Sequence, residues 1–145
     1  MEASEIKVPY LNDNQEKIII KDSQTVYNLI KKNCELSNIE IQEEEVKVVL
    51  LNSVNIVIGI FDLPKEGITE CSINIKLLLS VVLRAKSSNI ILVHNHISRN
   101  INPTDVDKRI TTALKNACDM VDIKLLDHLI ISKESYFSFK DHNFL

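Results

Sequence analysis

Residues Ile90-Ile91-Leu92-Val93 run without a break into His94-Asn95-His96, and an amphipathic segment begins one short loop later. Four consecutive apolar residues bounded by polar ones suit a central strand buried on both faces. Such a strand needs a partner on each edge and cover on each face, so the chain must supply further strands and helices. The flanking segments read that way. Val46–Leu51 and Ile56–Phe61 are β-branched and apolar, and Asn52-Ser53-Val54-Asn55 between them predicts a hairpin. Ser23 predicts the N-cap of a helix carrying Val26, Leu29 and Ile30. Ile73–Lys86, with Leu77, Leu78, Leu79, Val81, Val82 and Leu83, predicts a helix buried on most of its circumference. Val106, Ile110, Ala113, Leu114, Ala117 and Val121 recur at helical spacing. Ile123–Leu126, Leu129–Ile131 and Tyr136–Phe139 read as closing strands, and alternation over Glu5–Tyr10 predicts one more. The sum is a single α/β domain, a sheet with helices packed on it. At 145 residues there is little room for two.

Hydrophobic residues make up 45% of the chain, enough for one core, and the net charge is -3 without a long basic run. Duplex-DNA binders usually carry a basic patch or a high pI, so there is no clear nucleic-acid signal. Cys34, Cys71 and Cys118 are odd in number and widely spaced, which predicts buried thiols and neither a thiolate zinc knuckle nor a disulfide framework. The N-terminal MEASEIKVPY lacks the pattern of a signal peptide, and the apolar runs are too short to span a bilayer. The expectation is a cytoplasmic protein with no membrane partner. Pairing of an exposed Glu5–Tyr10 strand across a homodimer is the one oligomeric arrangement the sequence suggests.

The chemistry concentrates around the central strand's carboxyl end. In an extended chain, residues i and i+2 share a face, so His94 and His96 can converge on one point. Asp107 lies eleven positions beyond His96, in the first turn of the next helix, and the loop is long enough to bring it back to them. Two neutral imidazoles and a carboxylate suit zinc with a fourth position left for water. A plainer reading competes. His-x-His can be two polar residues at a strand end, and Thr104 with Asp107 can be a capping box. The two coexist, because a cap can fix the backbone that presents a ligand.

His-x-His, seven residues, Ser/Thr, two residues, Asp, with an upstream Glu, is the JAMM pattern of JAB/MPN+ metalloproteases. The chain resembles the RadC-like JAB domain still more closely. That family reads His-Asn-His-Pro-Ser-Gly, a short loop, Pro-Ser-x-x-Asp, then Leu-Asp-His and Tyr-x-Ser-Phe. Here stand His94-Asn95-His96-Ile97-Ser98-Arg99, Pro103-Thr104-Asp105-Val106-Asp107, Leu126-Asp127-His128 and Tyr136-Phe137-Ser138-Phe139. The resemblance runs from about Ile20 to Leu145, which divides the chain into an N-terminal strand and loop extension (1–22) and the JAB/MPN domain (23–145). The expectation from the resemblance is a compact form without the helix-hairpin-helix portion of longer relatives.

The resemblance implies a mixed β-sheet of the JAB/MPN, cytidine-deaminase-like kind, with zinc on His94, His96 and Asp107. It implies hydrolysis of an amide bond in a peptide or protein by water whose pKa zinc lowers to about 7. Among Glu43, Glu44 and Glu45, counting back from Val48 and Leu51 sets Glu44 at the family's Glu. Its role is general base and then acid. Thr104 stands at the family's Ser and donates to the tetrahedral oxyanion. Asp127, His128 and Ser98 fall to orienting the ligands; the plainer reading of Asp127–His128 is a strand-end pair satisfied by backbone. The departures are Ile97 for the family's Pro and Arg99 for its Gly. If the Gly position needs positive φ, Arg99 is strained there, and its charge lies near the metal site. The alternative is a non-catalytic zinc-binding JAB module, a binding or scaffold protein linked to DNA repair or mobile-element processes.

Overall fold

The computed structural model describes residues 10–11 (backbone only), 17–33, 44–64, 73–96 and 98–145. In chain order the elements are β1 (Tyr10–Leu11), α1 (Ser23–Asn33), β2 (Val46–Leu51), β3 (Val57–Asp62), α2 (Ile75–Arg84), β4 (Asn89–Asn95), α3 (Asp105–Met120), β5 (Lys124–Ile131) and β6 (Tyr136–Ser138). The strands form one six-stranded sheet in the order β1-β3-β2-β4-β5-β6. Only β4 and β5 are parallel, joined by α3 as the crossover that parallel pairing requires. The chain is thus the α/β domain its pattern predicts, with the mixed sheet that the resemblance implies. Of the predicted Glu5–Tyr10 strand, Tyr10 lies in β1, paired antiparallel to β3, and residues 5–9 lie outside the described residues. Segment 17–22 runs along the β2–β3 hairpin, with Val57 N–H donating to Ile18 O and Ile20 N–H to Asn55 O, both at 2.9 Å.

Side-chain alternation sorts the core into two layers. On one face Val26, Tyr27, Leu29 and Ile30 of α1 pack on Val49, Leu51, Ile91, Val93, Leu129 and Ile131. On the other, Leu78, Val81 and Val82 of α2 and Leu114 and Cys118 of α3 pack on Val48, Leu50, Ile90, Leu92 and Leu125. Ile90–Val93 is buried on both faces, as four apolar residues in a row require. Cys118 is a buried thiol whose pKa burial pushes up to about 11, an inert packing residue; Cys34 and Cys71 lie outside the described residues.

Three local expectations are corrected. The cap of α1 is Asp22, whose carboxylate accepts from Thr25 N–H (2.8 Å) and Thr25 Oγ1 (2.7 Å). Ser23 is the first helical residue, and its hydroxyl bonds Tyr136 and Asp141 instead. Helix α2 starts after Asn74, whose side chain caps Leu77 N–H. It buries one face, and Leu83 at 49% exposure marks the open side, so its long apolar run is not buried around most of the helix. Finally, the two predicted strands Ile123–Leu126 and Leu129–Ile131 are a single strand, β5.

The polar pair Asp127–His128 suggested a break, yet both side chains are buried within β5. A bulge explains how they fit. Ile90 pairs with Leu125 but Ile91 pairs with Asp127, so Leu126 is an extra residue in β5. Past it the faces exchange. Leu125 belongs to the α2/α3 layer, Asp127 shares the α1 side with Ile91, and His128 pairs with Leu92 on the α3 side. The Asp127 carboxylate accepts from Ser138 Oγ (2.6 Å), His128 N–H (2.7 Å) and Lys140 N–H (3.0 Å). It ties β6 and the C-terminal turn to the sheet.

Burial pushes the Asp127 pKa up, and these three donors pull against it. Removing one should leave a buried charge short of a partner. Ser138→Ala is expected to lower the unfolding free energy by about 1–3 kcal/mol in urea melts at neutral pH. The raised pKa sets the sign of its pH dependence. Below the usual carboxylate range both states are protonated and the loss is small; it grows as pH rises through the raised value and the carboxyl ionises.

Candidate metal centre

β4 delivers the two imidazoles. His94 pairs with Val46 across the β2 ladder and faces the α3 side. Asn95, of opposite parity, turns away, and its Oδ1 accepts Glu45 N–H at 2.7 Å. His96 follows directly after the strand. A turn then closes, with Arg99 N–H donating to His96 O at 3.0 Å. Asn100 N–H donates to Ser98 Oγ (3.3 Å) and Asn102 N–H to Asn100 Oδ1 (2.9 Å), bracing the loop that leads into α3.

Helix α3 delivers the carboxylate. Thr104 is its N-cap and Asp107 its N3 residue in a capping box. Thr104 Oγ1 accepts Asp107 N–H at 3.1 Å, and Asp107 Oδ2 accepts Thr104 N–H at 2.8 Å. The same carboxylate meets His96 Nε2 at 2.9 Å through Oδ2 and His94 Nε2 at 3.2 Å through Oδ1. Cap and site therefore coincide. Burial opposes the charge on Asp107, but in the metal-free site a donating His94, the Thr104 N–H and the positive charge of protonated His94 and His96 outweigh it and hold the carboxyl far below the usual range.

One ligand atom from each of His94, His96 and Asp107 lies within 4.8 Å of the other two, the metal-competent group among the described residues. The donor chemistry can be tested for fit. Asn100 O, which can only accept, lies 2.6 Å from His96 Nδ1, so that nitrogen carries the proton. In the neutral ring Nε2 is then a bare lone pair, facing a carboxylate oxygen at 2.9 Å. Two acceptors at that distance require a cation between or upon them. Tetrahedral zinc with ligands at about 2.0–2.1 Å sets its ligand atoms roughly 3.3 Å apart. The separations of 2.9 and 3.2 Å are close to that. The residues fit a divalent ion of the zinc class.

His94 Nδ1 meets His128 Nε2 at 2.6 Å, and His128 Nδ1 meets Thr111 Oγ1 at 2.5 Å. Burial, with His94 beside it, holds the pKa of His128 well below the ordinary value, so the ring is neutral. It stacks on Phe139 with centroids 4.4 Å apart, which sets its plane.

The other expected site residues fall as follows. Thr104 is exposed at the helix start, its lone pair used by Asp107 N–H. Glu44 is half-buried just before β2 and stands outside the three-residue group. Asn95 N–H to Glu45 O (3.4 Å) carries the β2–β4 pairing one residue past Val46–His94, and Glu44 directly precedes Glu45. Ser98 is exposed and braces the loop. Asp127 engages Ser138, Lys140 and the His128 N–H, on the α1 side of the sheet. Thr111 and Asn100 were not anticipated. Thr111 was findable as the polar residue on the apolar Leu114–Cys118 face of α3; Asn100 acts through its carbonyl, which leaves no mark on residue type.

A family profile described as the RadC-like JAB domain matches residues 20–144. Among curated relatives, a UPF0758 protein of Flavobacterium johnsoniae is 40% identical over 102 residues, covering 70% of this chain and 44% of its own. A UPF0758 protein of Chlorobaculum parvum is 34% identical over 103 residues, 71% of this chain and 46% of its own. One from Porphyromonas gingivalis is 32% identical over 127 residues, 87% of this chain and 54% of its own. The chain spans about half the length of these relatives.

Arg99 has φ 64°, the left-handed region in which a side chain costs about 1–2 kcal/mol. The strain expected there is real, and the turn it makes brings Asn100 O to His96. Arg99→Gly should raise the unfolding free energy by up to about 1 kcal/mol, since relief of the Cβ clash is partly offset by glycine's greater unfolded entropy. Arg99→Val should lower it by about 1–2 kcal/mol, because a β-branched residue tolerates that region worst. Paired thermal melts of the two variants check the contrast in sign.

Proposed function

The chain belongs to the RadC-like JAB domain family, and on that footing we propose that it is a zinc-dependent hydrolase cleaving an amide bond in a peptide or isopeptide. The observation that carries the reading is the convergence of His94 Nε2, His96 Nε2 and both Asp107 oxygens on one point, with the His96 lone pair fixed by Asn100 O. His94, His96 and Asp107 would hold the ion. What zinc supplies when bound by three ligands is Lewis acidity and a water of pKa about 7.

The remaining work falls to the chain's own groups. Glu44, just before β2, is the group that takes the proton of the attacking water and returns it to the leaving amine. The Thr104 hydroxyl accepts Asp107 N–H with a lone pair, which leaves its own proton for the oxyanion of the tetrahedral intermediate. Asn100 and His128 keep the two rings aimed. Arg99, exposed in the same loop, offers a charge to a substrate carboxylate. Among the described residues no helix is long and apolar enough to cross a membrane.

Metal analysis of the purified chain should find one zinc per molecule, lost when His94 and His96 are both replaced by Ala. An isopeptide or peptide substrate should be cleaved by the zinc-loaded chain, and Glu44→Gln should slow this by roughly a hundredfold or more while retaining zinc. Zinc bound without any cleavage dependent on Glu44 favours the non-catalytic module. Absence of zinc under metal-replete conditions overturns both.

A further inference from the structure

Thr111 sits one helical turn after Asp107 on the buried face of α3, and its hydroxyl reaches two groups. One is the Asp107 carbonyl at 2.8 Å; the other is His128 Nδ1 at 2.5 Å. A hydroxyl has one proton and two lone pairs, so the proton's direction decides the sense of every bond downstream. Pointed at the Asp107 carbonyl, which can only accept, it makes Thr111 Oγ1 an acceptor for His128 Nδ1–H. His128 Nε2 is then bare and accepts from His94 Nδ1–H, 2.6 Å away. His94 Nε2 is left as a lone pair aimed at the site. Pointed at His128 instead, the proton reverses each bond, and the series ends with an N–H on His94 Nε2 that blocks ligation through that nitrogen.

We propose that Thr111 is a positioning residue of the metal centre: acting through His128, its hydroxyl holds His94 in the tautomer that leaves Nε2 free to bind metal. The inference rests on the metal-binding reading above. Several features support the coupling. Thr111 and His128 are both buried, at 3% and 1% exposure, so water does not compete for the bonds. The Leu126 bulge turns His128 onto the α3 side, where Thr111 lies. The Phe139 stack fixes the ring plane. The series also links two ligands, because it starts on the backbone of Asp107 and ends on the ring of His94. Without the hydroxyl, the ligating sense leaves His128 Nδ1–H as a buried donor with no acceptor, which is the costlier kind of orphan.

The test uses the full chain with zinc alone, competed against a chromophoric chelator. Thr111→Val, nearly isosteric, should weaken zinc binding roughly tenfold to a hundredfold, the usual effect of losing a ligand's hydrogen-bonded support. Thr111→Ser should restore it to within about threefold. Long-range proton–nitrogen spectra of the imidazoles supply a readout that packing alone would not move. In zinc-loaded wild type, His94 and His128 should both carry their proton on Nδ1. Unchanged affinity in Thr111→Val, or His128 protonated on Nε2 in the zinc-loaded protein, overturns the proposal and leaves the metal site standing. If wild type takes up no zinc, the metal reading fails instead. The coupling is then judged on metal-free protein above pH 7.5, where Thr111→Val must change the His128 tautomer pattern; an unchanged spectrum overturns it.

Discussion

The hydrogen-bond ladder along both edges of β4 sets where the site's histidines stand. On one side it runs antiparallel to β2, on the other parallel to β5, and Ile90–Val93 bury side chains on both faces beneath it. A strand held this way cannot slip by one residue without exchanging its whole set of faces. The pairing with β2 sets His94 opposite Val46, two residues after Glu44. The pairing with β5 brings His128 under the His94 ring. Two separate registers thus meet at one imidazole.

The start of α3 adds the third participant economically. Asp107 closes the capping box with one oxygen and offers both oxygens to the histidines. The helix N-terminus favours a negative charge there, and the carboxyl stays ionised despite its burial. Capping and ligation, which compete as readings of Thr-x-x-Asp in the sequence, are one arrangement in the molecule. Replacing Asp107 would disturb the helix entry as well as the ion, so Glu44→Gln is the cleaner probe of chemistry.

Much of this was legible beforehand. The β2–β3 hairpin, β4, and α3 with its Thr104 cap follow from period and turn chemistry. Strand parity and loop length allow the convergence of His94, His96 and Asp107, and the family resemblance singles it out. What escaped has a physical reason in each case. β5 read as two strands because Asp127 and His128 interrupt its apolar pattern; their hydrogen bonds come from β6, α3 and the C-terminal turn, which no local pattern reveals. The bulge that places His128 on the α3 side while Asp127 faces α1 is a tertiary fact. The role of Asn100 belongs to its backbone carbonyl. The cap of α1 was misplaced by one residue because Asp22 and Ser23 are adjacent and both suit the position.

The three ligands all lie between residues 94 and 107, whereas the two core layers are assembled from α1, α2, α3 and five strands. An ion at this site would close only one short loop, and closing a short loop removes little freedom from the unfolded chain. The sheet and its helices have their own cohesion, unlike small zinc modules that collapse into order only around their metal. An ion bound here would therefore be a guest of a finished scaffold, free to arrive after folding, leave and return, with an occupancy set by the ambient supply of metal.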